Sequence, residues 1–210
     1  MQELTSNSSG ATISQAPEAA NGGRMPYFLS DGQRRILRAA CSRLVPAEDE
    51  PDAEAVGAAD YIDGLLGAFL VDPPRIWAGG PFSGRFGGGA SFASFHSLAP
   101  HDELAWRTRI EGSQGIPERE RLGPVVGLQE HYTEGLAALG EDFPTLPAEE
   151  QELRLRSAGP FLNLLYEHVC EGLYAAPEYG GNRDLLGWRS IGYLGDVQPR
   201  GYTDDEVSGE

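Results

Sequence analysis

The amino-acid sequence predicts an all-α fold: a single helical domain with long ordered loops and a loop-rich C-terminal segment. Three observations carry that expectation. Apolar residues recur at helical spacing in successive segments. Helix-start signals such as Ser30-Asp31 and Pro100-His101-Asp102-Glu103 stand at the head of two of them. Glycine (28) and proline (15) together make up about a fifth of the 210 residues, so much loop accompanies the helices. At 40% hydrophobic and 23% charged, the chain reads as globular, and its length suits one domain with a substantial core.

Residues 1–26 are rich in Ser, Gly, Ala, Asn and Gln. They hold too few large apolar side chains to offset the entropy of ordering, so they read as a disordered tail. The folded domain is expected over 27–195, followed by an acidic tail at 196–210. A first helix follows Ser30-Asp31, with Ile36, Leu37, Ala40, Cys41 and Leu44 on one face, and stops at Pro46. A second carries Val56, Ala59, Ile62, Leu66 and Phe69 on one face and ends before Asp72-Pro73-Pro74. Residues 72–92 are too glycine-rich for a helix and read as a long loop of the functional or mobile kind. Pro100 opens a helix bearing Leu104, Trp106 and Ile110. The pattern then predicts a helix from Pro117 to about Leu139, with Val125, Val126, Leu128, Tyr132, Leu136 and Leu139 inward and a kink or break at Pro124. A short helix is expected at 147–156 and a last one at Phe161–Tyr174, after which the chain reads as loop.

The charge balance narrows the function classes. Sixteen basic residues face 32 acidic ones, for a net charge of −16, and every basic residue is arginine. A chain without lysine has no Schiff-base lysine, no P-loop lysine and no lysine general base. The acidic excess argues against sequence-independent binding of nucleic acid or anionic lipid. Acids concentrate at Glu48, Asp49, Glu50, Asp52, Glu54, Asp60 and Asp63, which read as the solvated face of the second helix. No run reaches the ~18 apolar residues of a membrane helix. The N-terminus lacks the basic and apolar regions of a Sec signal, and Arg34–Arg35 read as helix surface rather than as a twin-arginine signal. From this chain alone a cytoplasmic location is expected.

Catalytic and ligand motifs are sparse. Cys41 and Cys170 lie 129 positions apart without metal spacing and read as buried free thiols, with a single long-range disulfide the alternative in an oxidising compartment. His96, His101, His131 and His168 form no paired-ligand spacing, and His168 reads as a hydrogen-bonded core histidine. The glycines at 79–89 lack the strand that precedes a phosphate loop. The sharpest signal is Pro177-Glu178-Tyr179-Gly180-Gly181-Asn182-Arg183-Asp184, followed by Trp188 and Tyr193. Aromatic residues and arginine on a loop are the material of an interface hot spot. The same Trp188 could instead close the domain's own core, and both readings stand.

That segment also carries a resemblance. The stretch PEYGGNRDLLGWRSIGY after a helix ending HVCEGLYA resembles the gluconate 2-dehydrogenase subunit 3 family. The front of the chain, LRAACSRLVPAEDEPDAEAVGAADYIDGLL, resembles that family's helix, Leu-Val-Pro, acidic linker and second helix. The likeness extends over roughly 28–195. It implies a non-catalytic accessory (small) subunit that binds and stabilises a large FAD-dependent dehydrogenase of the glucose-methanol-choline type. A cytochrome c subunit often completes such complexes. The FAD would belong to the partner, with no cofactor, metal or catalytic residue in this chain. The expected interface comprises Tyr179, Gly180, Gly181, Asn182, Arg183, Asp184, Trp188 and Tyr193, together with Phe82 and Arg85 of the glycine-rich loop. The alternative is a stand-alone helical enzyme or small-ligand binder using the 79–101 loop.

Overall fold

The computed structural model describes residues 27–46, 51–72, 74, 76 and 98–193. The expected N-terminal tail, almost all of the 72–92 loop, His96, Phe82, Arg85 and the acidic C-terminal tail lie outside them. Among the described residues there are seven α-helices and no strand, so the fold is all-α as expected.

Helix α1 spans Asp31–Leu44. Ser30 caps it in a full capping box: its hydroxyl accepts from Gln33 N while the Gln33 side chain accepts from Ser30 N. Ile36, Leu37, Ala40 and Cys41 are buried. Two hydrogen bonds from Asp52 shape the turn that follows, accepting from Ser42 Oγ at 2.7 Å and from Glu54 N at 2.7 Å. Helix α2 covers only Ala58–Leu66, with a 3₁₀ turn at Ala68–Leu70. Val56 is fully buried but precedes the helix.

Helix α3 runs Pro100–Glu111. The next helix, α4, spans Leu128–Leu139 and does not begin at Pro117. Residues 117–119 make a separate 3₁₀ turn, and 120–127 return to α4 without helix. Tyr132, Leu136 and Leu139 are buried as expected, whereas Val125 and Val126 are 40% and 49% exposed. Helices α5 (Ala148–Ser157) and α6 (Pro160–Tyr174) sit within a residue of their expected positions. The segment read as loop after α6 contains two 3₁₀ turns and a short helix α7, Leu186–Ser190.

Helix α6 forms the spine and packs most extensively on α2. Gly172 permits this approach, since a Cβ there would stand 2.8 Å from Ala58 Cα. Helix α1 packs across α2, α4, α5 and α6, while α3 closes on α2 and α4. A pair of polar side chains meets between α4 and α6 in the interior. The Tyr132 hydroxyl meets His168 Nδ1 at 2.9 Å, with the two rings stacked and Phe161 edge-on to Tyr132. Burial lowers the His168 pKa, so the neutral imidazole is the favoured form. His168 is thus the hydrogen-bonded core histidine that its helical position suggests.

The acidic stretch is not simply a solvated face. Asp63 is only 1% exposed, and its Oδ1 accepts from Phe28 N and Leu29 N, both at 3.0 Å. Arg34 Nε stands 3.2 Å from its other oxygen. Burial raises the Asp63 pKa, while the two backbone donors and Arg34 oppose that shift. The carboxylate therefore ties the residues before α1 to α2.

Candidate functional site

The candidate surface grows from the C-terminal end of α6. The chain leaves Tyr174, makes a 3₁₀ turn at Pro177–Tyr179, and reverses at Gly180, whose φ of +101° suits glycine. Three of the next five residues are non-glycine with positive φ: Asn182 (45°), Asp184 (55°) and Leu185 (58°). Asn and Asp tolerate this region better than other residues, whereas Leu does not. Strain of this kind persists only where surrounding bonds hold the backbone in place.

Those bonds centre on Asn182, which is fully buried. Its backbone N donates to Gly172 O at 2.7 Å and its Nδ2 to Ala175 O at 3.1 Å. Its Oδ1 accepts from Gly187 N at 3.1 Å and lies 3.4 Å from Trp188 N. One amide side chain thereby caps both the end of α6 and the start of α7. Gly181 and Gly187 press against the α6 backbone, where a Cβ would collide with the carbonyls of Gly172 and Leu173 respectively.

Trp188 is 5% exposed and its indole N–H donates to Tyr174 O at 2.7 Å. It closes the domain's own interior, which decides its structural role. Tyr193 packs edge-on against it with ring centroids 4.8 Å apart, yet is 42% exposed. Arg183 N donates to Val56 O at 2.9 Å. Its guanidinium reaches Asp60 Oδ2 at 2.8 Å and Ala55 O at 3.3 Å, with half of the side chain in solvent. Asp60 also faces Arg34 at 3.6 Å and Arg38 at 3.4 Å, so it joins α1, α2 and this segment.

The residues singled out from sequence therefore separate. Gly181, Asn182 and Trp188 are interior and build the loop. Tyr179 and Gly180 are half-buried, while Arg183, Asp184 and Tyr193 face solvent. Ile191, two residues before Tyr193 in sequence, is likewise exposed, at 56%. Sequence reasoning passed over it because a lone isoleucine in a glycine-rich stretch carries no periodic signal. Tyr179 also lines an aromatic cleft of about 200 Å³ with Tyr61, Trp106 and Ile76.

The pattern of the family described as gluconate 2-dehydrogenase subunit 3 matches residues 31–195, from the first residue of α1 to just past Tyr193. The chain belongs to that family. No curated protein and no solved structure gives a significant match.

Three of the four non-glycine residues with positive φ among the described residues, Asn182, Asp184 and Leu185, lie near the end of that match. Among the described residues no group of three His, Cys, Asp or Glu side chains is placed to hold a metal ion. The two cysteines are free: Cys41 is buried, and burial raises its pKa, while Cys170 is half-buried. No helix among the described residues is long and apolar enough to cross a membrane.

Proposed function

We propose that the chain is a non-catalytic accessory subunit that binds and stabilises a large FAD-dependent sugar or alcohol dehydrogenase. The observation that carries this reading is the family match over 31–195, whose description is that of a dehydrogenase subunit. FAD would be held by the large subunit, of the glucose-methanol-choline type, and a cytochrome c subunit would accept its electrons. The docking surface on this chain would include the solvent-facing residues Arg183, Asp184 and Tyr193, with Tyr179 and Gly180 at its edge. Asn182, Gly181 and Trp188 would hold that surface in shape from beneath. A rigid backbone lowers the entropy lost on association, and Tyr and Arg supply the contact area typical of hot spots.

The test is co-expression with a large FAD-dependent dehydrogenase subunit of the glucose-methanol-choline type. The expected result is co-purification and a higher yield or activity of the flavoprotein. An unchanged flavoprotein that never co-purifies overturns the proposal. In the complex, Arg183→Ala with Tyr193→Ala should weaken association at least tenfold while leaving the isolated chain folded. Truncating true hot spots typically costs ~2 kcal/mol or more.

A further inference from the structure

The connection from α3 to α4 is held rigidly yet carries apolar side chains into water. Ser113 N donates to Val125 O at 2.9 Å and Ser113 Oγ accepts from Val125 N at 2.9 Å. Arg119, its side chain 8% exposed, reaches Gly112 O at 3.0 Å and Glu111 Oε2 at 2.8 Å. Gly127 lies so close to the Ile110–Gly112 backbone that no Cβ fits. On this scaffold Leu122 is fully exposed, and Val125 and Val126 are 40% and 49% exposed. Beside the valines runs a groove of about 590 Å³ between α3, α4 and the first turns of α6, lined by Phe161 and Leu164. The two valines line the groove, and Leu122 stands three residues before the first of them; exposed apolar surface of this kind marks an interaction site.

Charge indicates what would occupy it. The chain has two acidic residues for each arginine, yet among the described residues the groove is lined by Arg109 and His131 and by no carboxylate. The Arg109 guanidinium lies over the Trp106 ring at 5.2 Å and forms no ion pair among the described residues. A cation held at the rim of an apolar groove suits an apolar segment bearing a carboxylate. A second copy of this chain suits it less well, because two bodies of charge −16 repel each other. The groove flanks the first turns of α6, whereas the 179–193 segment packs on its last turns. The 15-residue helix between them is about 22 Å long.

We propose that the groove and the Leu122 tip form a second docking face, which receives an apolar, carboxylate-bearing segment of the large dehydrogenase subunit. This rests on the accessory-subunit reading, and the experiment separates the two. Leu122→Asp, Val126→Asp and Arg109→Glu are made singly in the full chain and co-expressed with a large FAD-dependent dehydrogenase subunit of the glucose-methanol-choline type. Circular dichroism and the urea midpoint check that each variant folds; Leu122→Asp, fully exposed, is the variant least able to disturb folding. The expected result is at least tenfold weaker association for each variant, with Arg109→Lys close to wild type. Variants that bind as wild type overturn the second face but leave the accessory reading standing. A wild-type chain that captures no flavoprotein overturns both. A wild-type dimer that Val126→Asp converts to monomer assigns the groove to a second copy and also overturns the proposal.

Discussion

Asn182 combines a positive φ, complete burial and hydrogen bonds to both ends of a chain reversal, so its replacement should be costly. Asn182→Ala would leave the Gly187 N–H and the Ala175 carbonyl without their partner and place alanine in the left-handed region. The expected loss is about 3 kcal/mol of stability, read from a urea midpoint, since each unpaired buried group costs about 1–3 kcal/mol. His168 makes a pH prediction with a definite sign. Its folded pKa is depressed by burial below the ordinary value of 6.5. As pH falls below that value, the unfolded chain takes up a proton that the folded chain resists, so stability falls. Thermal midpoints should drop as the pH falls below about 6.5, and His168→Gln, which keeps an acceptor for Tyr132, should flatten that slope. Asp63 acts in the opposite sense at lower pH. Its folded pKa is raised above 3.8, so its contribution diminishes as pH rises through the carboxylate range. A sequence shows His168 on an apolar helix face, and its role follows from that. It does not show that Asp63 points inward while Asp60, one turn away, stays at the surface, because both fit the same solvated pattern.

At the scale of elements, α1 is legible from its Ser30 start signal and apolar face, and α6 from the apolar face of Leu165, His168, Val169 and Leu173. Helix α5, with only Gln151 and Leu155 buried, shows a weaker pattern. The start of α4 is not legible from periodicity. Val125, Val126 and Leu128 continue the spacing of Tyr132 and Leu136, but the backbone before Leu128 is committed elsewhere. Ser113 pairs with Val125, and Gly127 touches the end of α3, so the helix cannot extend backwards. Gly123 and Pro124 were the available clue, and they mark the break rather than a kink. Gly127→Ala should therefore destabilise the fold by about 2 kcal/mol or more, because a Cβ meets the backbone there and not a movable side chain. Calorimetry would detect the loss, and an unchanged midpoint would show that the α3–α4 approach is looser than described. Helix α7 escaped sequence reasoning for a related reason. Five residues including Gly187 have little helical propensity of their own, and the Asn182 carboxamide and the floor of α6 hold them in place.

At the scale of the molecule, the front and the back of the chain are joined through Asp60. A double-mutant cycle on Asp60→Asn and Arg183→Ala should give a coupling of about 0.5 kcal/mol that shrinks as salt is added, as for a partly exposed pair. The backbone bond from Arg183 N to Val56 O survives both substitutions, so the C-terminal segment should stay docked. The candidate surface was readable as a cluster of residue types, but not its division into builders and presenters. Burial depends on where α6 and the 53–57 turn sit, and no local pattern encodes that. The join also bears on the order of synthesis. Asp60 and Arg183 are 123 positions apart, so at ~5–20 residues per second the acid emerges about 6–25 s before its arginine is made. Until then the turn before α2 and the last turns of α6 lack their cover, and a ribosome that stalls before Asn182 holds a nascent chain whose interior is still open to chaperones and proteases.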